Sequence, residues 1–445
     1  MNPQHSAHVE GKRGQSPFVQ STLPTVSANG DCPLFPATEY SRRRFLGGTL
    51  AAAAASPLLG AAATLAADSQ VPAVLSGRKI KLGLVGCGGR GKWIGGLFQR
   101  SGGYELHAVA DYFPEVVERG GEELGVDKAR RFSGLSGYQK VIESGVEAVA
   151  LIVPPCFLAE QASAAIAAGL HVYMCKPCAV DVHGCLRIEA AGKLATQKQR
   201  VFRVDYQMPT DPVNIRVAEQ IRKGAIGKIA KITTLGYNGG RGDPPKTANI
   251  ESRLQNLIWD NDMEIGGSFV VSYDIHAIDA AVWLVGRRPI AASGSSHIFR
   301  ANPHGTSPDT ISVVYDYDNG MIHEHSGMAL PNTAPGYIRC TAYGQNGYGV
   351  IDYTQRASLD IHHKKPFAGD VVNLYEAGAV RNIAAFHAEV VGGGHYENLT
   401  VRRAVDGCLT CILGREAALR HGRLTMKELL KENRRIEVDL SGLKV

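Results

Sequence analysis

The chain has 445 residues, a formal net charge of +6 and 44% hydrophobic residues. Five basic residues (Lys12, Arg13, Arg42, Arg43, Arg44) and three acidic ones (Glu10, Asp31, Glu39) fall in the first 67 positions, leaving about +4 on the rest. So weak a charge, with no lysine-arginine run and no aromatic-basic alternation, argues against a nucleic-acid partner.

Residues 1–67 read as an export leader. Ser41-Arg42-Arg43-Arg44-Phe45-Leu46 has the twin-arginine form, and an uncharged alanine-rich run follows from Gly47 to Ala63. Small-residue cleavage positions lie between Ala61 and Ala67. The run is too poor in strongly apolar residues for a stable membrane span, which needs ~20 of them. The expected partner is the twin-arginine translocation machinery, and the expected location is the periplasm. Roughly 380 residues remain, enough for two domains.

From Arg78 onward, apolar runs alternate with helical patterns. Strands are expected at Ile80–Val85, Glu105–Ala110, Ala148–Val153, His171–Met174 and Val201–Val204. Helices are expected near Lys92–Gln99, Pro114–Leu124, Tyr138–Glu143, Leu158–Ala168 and Val182–Gln197. This alternation predicts an α/β domain over residues 78–205, with a doubly wound parallel sheet covered on both faces.

The first strand runs straight into Gly86-Cys87-Gly88-Gly89-Arg90-Gly91, the G-x-G-x-x-G turn that opens a helix onto a dinucleotide pyrophosphate. Gly86 permits the tight turn, Gly88 lets the backbone approach the phosphates, and Gly91 lets helix and strand close up. Asp111 ends the second strand, 20 residues past Gly91. A carboxylate there accepts hydrogen bonds from the adenosine ribose and repels a 2′-phosphate, which favours NAD over NADP. Pro154, Pro155 and Lys176 follow later strands, beside the same crevice. Nicotinamide nucleotides are kept in the cytoplasm, so an exported protein must be loaded before it leaves. The expected cofactor is therefore a non-exchanging NAD.

The pattern changes after Pro209. A helix over Val213–Lys223 leads into a strand at Lys228–Leu235. Strands at Thr310–Tyr317 and Met321–His325 flank the hairpin turn Asp318-Asn319-Gly320, and those at Ile338–Tyr343 and Gly349–Tyr353 flank Gln345-Asn346-Gly347. Helix returns at Val401–Arg420, and Thr425-Met426-Lys427-Glu428 reads as a capping box. Residues 206–445 are thus expected to form an α+β domain with a mainly antiparallel sheet.

Nine cysteines are present. The Cys175/Cys178 and Cys408/Cys411 pairs have the C-x-x-C spacing of half a zinc site. The first straddles a lysine with a better role and the second lies in an apolar helix, so buried free thiols and no metal are expected, with a disulfide formed after export as the alternative.

Oxidising an alcohol by hydride transfer requires a group that takes the hydroxyl proton. His276, one helical turn before Asp279, suits that task, its ordinary pKa being near ~6.5. Lys176, aimed at the positive nicotinamide ring, should have a lowered pKa and share or relay the proton.

These residues resemble the Gfo/Idh/MocA oxidoreductases. The resemblance rests on Leu82-Gly83-Leu84-Val85-Gly86-Cys87-Gly88, on Val146–Val149 leading to Pro154-Pro155, and on Ala168–Tyr173 leading to Lys176-Pro177. It continues in Gly224–Ile229 and in Gly266-Gly267 leading to His276-Ala277-Ile278-Asp279. It implies a nucleotide domain, an open C-terminal sheet used for dimer or tetramer contacts, and activity on sugars, inositols or related polyols. It also implies Lys176 and His276 as the lysine of a Glu-Lys-Pro motif and the proton-transfer histidine. Two departures stand out: Cys175 replaces the glutamate of that motif, and Ser272 replaces an aspartate four residues before the histidine. Asp274 could substitute for the latter only if the backbone there is not regular helix. Asp274, Asp279 and Gln207 complete the candidate site, with Gln207 and Cys175 placed beside the cofactor. Two rival readings share the fold. One is a glycoside hydrolase or lyase that oxidises transiently and eliminates, and the other a non-catalytic sugar-binding protein.

Overall fold

The computed structural model describes residues 77–394 and 396–445. The leader with its twin-arginine motif lies outside the described residues. Strands β1 (Ile80–Val85), β2 (Tyr104–Asp111), β3 (Arg131–Ser133), β4 (Ala148–Leu151), β5 (His171–Cys175) and β6 (Phe202–Asp205) form one sheet in the order β3-β2-β1-β4-β5-β6. Every pairing in it is parallel. The central strands are buried on both faces, which is why they read as continuous apolar runs rather than alternating ones. β3 escapes the sequence pattern because it is three residues long and only half-buried. The strand order reverses between β1 and β4, the point beyond whose carboxyl ends sheets of this kind bind their ligands.

The helices of this half are Gly89–Arg100, Pro114–Glu123, Gly137–Glu143, Pro155–Ala167 and Val182–Gln197. A further helix, Leu374–Gly392, returns from the far end of the chain to pack on the same sheet. Its Ala379, Ile383, Phe386 and Val390 share a buried cluster with Ile80, Leu82, Tyr104 and Tyr173. Tyr104 Oη donates to Ile383 O at 2.8 Å, and Arg203 pairs with Glu389. A stretch belonging by sequence to residues 206–445 therefore completes the core of the first domain.

The second sheet has nine strands: β7 (Ile229–Asn238), β8 (Ala291–His297), β9 (Thr310–Asp316), β10 (Ile322–Ala329), β11 (Tyr337–Gly344), β12 (Gly347–Asp352), β13 (Arg356–Ile361), β14 (Phe367–Asp370) and β15 (Arg423–Thr425). Their order is β14-β13-β12-β11-β7-β10-β9-β8-β15. Only the β7–β10 contact is parallel, so the sheet is mixed but mainly antiparallel. Both expected hairpins are present, at β9–β10 and β11–β12. The capping box is complete: Glu428 N–H donates to Thr425 Oγ1 at 3.1 Å, and Thr425 N–H to Glu428 Oε2 at 2.9 Å.

Helices Pro212–Arg222, Ile275–Val285 and Leu399–Leu419 cover one face of this sheet. The other face stays open, with Val314, Ile322, Tyr343 and Tyr348 each at least 40% exposed. The segment Met263–Val285 is long and apolar enough to cross a membrane, but 89% of an 18-residue stretch of it lies inside the protein, as a core helix does.

Candidate active site

The glycine turn has the steric form its sequence requires. Gly86 has φ +93°, and a Cβ there would lie 2.1 Å from Ile152 O. A Cβ on Gly91 would lie 1.8 Å from Gly86 O, so helix and strand close only on glycine. Gly88 differs: a Cβ there would meet no atom within 4 Å. Gly88 caps the helix Gly89–Arg100 without any side-chain cap. Its open space and the uncapped first-turn N–H groups together make a cradle for phosphate oxygens. These residues fit the pyrophosphate of a dinucleotide.

Asp111 stands at the end of β2, as expected. Its Oδ2 accepts the Cys87 N–H at 2.7 Å and its Oδ1 the Phe113 N–H at 3.1 Å. Burial raises its pKa while these two N–H groups lower it. The carboxylate thus braces the glycine turn. Pro154 and Pro155 follow β4 and begin the helix Pro155–Ala167. Arg90 folds back from the turn, its guanidinium 5.5 Å from the Trp93 ring centre and 5.0 Å from that of Tyr375. It donates to Asp205 Oδ2 at 3.1 Å.

Lys176 and His276 come from the two halves of the chain and lie close enough for the lysine's charge to act on the imidazole. Lys176 leaves the end of β5, and its Nζ donates to Ser272 O at 2.5 Å. The receiving segment, Val270–Asp274, is a π-helical turn, a wide form that recurs at functional sites. His276 begins the next helix and is 7% exposed. Its ring packs edge-on to Tyr353 at 5.0 Å and to Tyr206 at 6.4 Å. Among the described residues its buried Nδ1 has no hydrogen-bond partner. Burial first, then the charges of Lys176 and Arg90, hold the imidazole well below its ordinary 6.5. It is neutral at pH 7, the state in which it can accept a proton.

Other candidates take different places. The backbone at Asp274 is indeed not regular helix, yet this carboxylate turns towards the second sheet. Its Oδ2 bonds His325 Nε2 at 2.9 Å, and its oxygens fill the space that a Cβ on Gly236 or Gly327 would need. Burial pushes it up to about 6. Asp274 therefore does not restore a carboxylate in the crevice where Ser272 departs from the family. Asp279 is likewise buried and pushed up to about 6, and its Oδ1 accepts from Arg403 Nε at 3.0 Å. Gln207 is 1% exposed: it donates to Asp205 Oδ2 at 3.2 Å and accepts from Tyr353 Oη at 3.3 Å. It acts on the site through Tyr353, not by lining it. Cys175, in the glutamate's place, points its thiol at Val153 O, and burial pushes that thiol up to about 11.

Sequence reasoning missed Asp205, Tyr206, Tyr353 and Tyr375. Asp205 ends β6, so its place at a strand's carboxyl end was a usable signal. Tyr353 and Tyr375 arrive from distant segments, and nothing near either of them in the chain points to the site.

Both halves of the chain match known protein families. Residues 80–206 match an oxidoreductase family with an NAD-binding Rossmann fold, and residues 215–349 match the GFO/IDH/MocA C-terminal domain. An inositol 2-dehydrogenase of Burkholderia ambifaria is 25% identical over 344 residues, 74% of this chain and 90% of that protein. An uncharacterized oxidoreductase, sll0816, of Synechocystis is 24% identical over 257 residues; the match covers 57% of this chain and 64% of that protein's length. Two solved structures share the fold, each over 78% of this chain. They are an aldose-aldose oxidoreductase from Caulobacter crescentus (20% identity, TM-score 0.62, 100% of that chain) and an inositol dehydrogenase homolog complexed with NAD+ from Azotobacter vinelandii (18% identity, TM-score 0.65, 97% of that chain).

Proposed function

Because the chain belongs to the GFO/IDH/MocA oxidoreductases and carries their NAD-binding domain, we propose that it oxidises or reduces a sugar or polyol hydroxyl from the periplasm, using a tightly held NAD. The observation that carries this reading is a buried His276 within reach of the Lys176 charge, with Lys176 bonded to Ser272 O four residues before it. NAD, when bound, supplies the hydride acceptor or donor.

The chain's own residues account for the rest. Gly88 and the first-turn N–H groups of Gly89–Arg100 hold the phosphates. Asp111 takes the ribose hydroxyls. His276 accepts the proton of the substrate hydroxyl in oxidation and returns it in reduction. Lys176, fixed on Ser272 O, donates a hydrogen bond to the same substrate oxygen and stabilises the negative charge that develops there. The rings of Tyr206 and Tyr353 hold the imidazole and keep water from it. With Cys175 and Ser272 in place of acids, the substrate's neighbouring hydroxyls are read by other groups. The open face of the second sheet, where Tyr343 and Tyr348 stack at 6.2 Å, is proposed as the homodimer or homotetramer contact.

The test is a panel of sugars, polyols and chromogenic glycosides added to the purified protein, with the absorbance of reduced nicotinamide followed. The reading predicts stoichiometric co-purified nucleotide, reduced by at least one compound without any aglycone release. Release of an aglycone with no net reduction would replace it with the hydrolase or lyase reading. A protein free of nucleotide, or inert to every compound, would end it. Export is tested separately: lysines at Arg42 and Arg43 should leave the protein in the cytoplasm, and unchanged periplasmic recovery would refute the leader.

A further inference from the structure

Neither C-x-x-C pair closes on itself. The fold instead assembles a different trio, Cys178, Cys185 and Cys408, whose sulfurs all lie within 4.8 Å of one another and are buried. Cys178 sits in the connection that begins at Lys176, Cys185 in the first turn of helix Val182–Gln197, and Cys408 midway along Leu399–Leu419. We propose that this trio is a structural binding site for one thiophilic d10 cation of the zinc or copper(I) class, stapling the Lys176 loop to the helix Leu399–Leu419, which packs against elements of both sheets.

The dimensions suit that role. Cys178 Sγ and Cys185 Sγ are 4.0 Å apart, and the widest separation is within 4.8 Å. The centre of an equilateral triangle lies its side divided by √3 from each corner, here about 2.3–2.8 Å, against the ~2.3 Å of a zinc–thiolate bond. Contraction by a few tenths of an ångström closes the site. Its chemistry is all sulfur, which selects soft cations over magnesium or calcium. Cys185 lies at the positive end of a helix, and the buried Arg415 guanidinium anchors the segment between Cys178 and Cys185. Arg415 is itself fixed on Val180 O and Gly267 O at 2.8 and 2.6 Å and shares Glu416. The present contacts of Cys408 Sγ to Ala179 O at 3.2 Å and of Cys178 Sγ to Ala404 O at 3.7 Å hold the thiols facing one another. On binding, each ligating thiol gives its proton to solvent and forms a metal–sulfur bond, with no change of oxidation state.

The site is independent of the redox reading, and its test needs no substrate. The full chain, purified under reducing, anaerobic conditions, is assayed for zinc and copper. It is then stripped and titrated with zinc, copper(I) and cadmium, the last read by its sulfur-to-metal charge-transfer absorption. One equivalent per chain is expected, falling to none in Cys178→Ser and Cys408→Ser and unchanged in Cys340→Ser. X-ray absorption on the metal-loaded parent should give three sulfur neighbours at about 2.3 Å, a readout that stands even if the serine variants do not fold. No stoichiometric uptake by the parent, a shell of nitrogen and oxygen, or equal uptake by Cys408→Ser would each overturn the proposal.

Discussion

Replacing Gly88 by alanine separates the cofactor site from the fold. Gly88 has φ −64° and ψ −173°, a conformation any residue adopts, and its added Cβ would meet no protein atom within 4 Å. The folded protein should change in stability by no more than about 1 kcal/mol in either direction, because alanine restricts the unfolded chain but is the poorer N-cap. The methyl instead occupies the space assigned to the pyrophosphate. Moving the phosphates aside costs one or two charge-assisted N–H bonds, at about 1.5–3 kcal/mol each. NAD affinity should therefore fall at least ~10-fold, and ~100-fold or more if two bonds are lost. Thermal denaturation of stripped protein and titration with NADH, read by nucleotide fluorescence, measure the two effects apart. Gly91→Ala is the contrasting control, since its Cβ falls 1.8 Å from Gly86 O and should disrupt the fold itself. A Gly88→Ala protein that folds and binds NADH within twofold of the parent would refute the placement of the phosphates.

His276→Ala should retain nucleotide binding and lose ~10²–10⁴ in kcat. In the parent the imidazole is held below 6.5, so the acid limb of kcat/KM should lie below pH 6.5; a limb at or above that value contradicts the assignment. Arg403→Ala leaves the Asp279 carboxylate buried without its partner and should destabilise by about 3–5 kcal/mol. Burial holds the folded Asp279 at about 6, above its unfolded 3.8. Stability from such a raised carboxyl is fully present below the unfolded value and is lost as pH rises through the folded one. The deficit of Arg403→Ala, followed as Tm against pH, should be widest above pH 6 and narrow towards pH 4. A deficit independent of pH would mean that only packing was lost. Glutamates at Tyr343 and Tyr348 should turn a sedimenting oligomer into monomer, and a monomeric parent would remove the proposed contact.

Much of this architecture was legible because its signals are local. Each strand of the first sheet except β3 carries its own apolar run, and the glycine turn announces itself by spacing. The hairpins at Asp318–Gly320 and Gln345–Gly347 are written in turn residues. Helix Leu374–Gly392 was not foreseen, because its buried residues are matched to the distant surface of β1, β2 and β5. The site divides the same way. Lys176 and His276 sit in recognisable sequence contexts, whereas the inward turn of Asp274 depends on Gly236 and Gly327, two glycines on separate strands. The cysteines illustrate the limit: spacing favoured Cys175 with Cys178 and Cys408 with Cys411, while tertiary packing groups Cys178, Cys185 and Cys408.

The most direct test of the central claim uses the compound that reduces bound nucleotide fastest, deuterated at its oxidised carbinol carbon. Mass analysis of the released nucleotide should find one deuterium on the nicotinamide ring, with transfer slowed at least ~100-fold in His276→Ala. Deuterium lost to solvent, or equal transfer by parent and variant, would contradict the account.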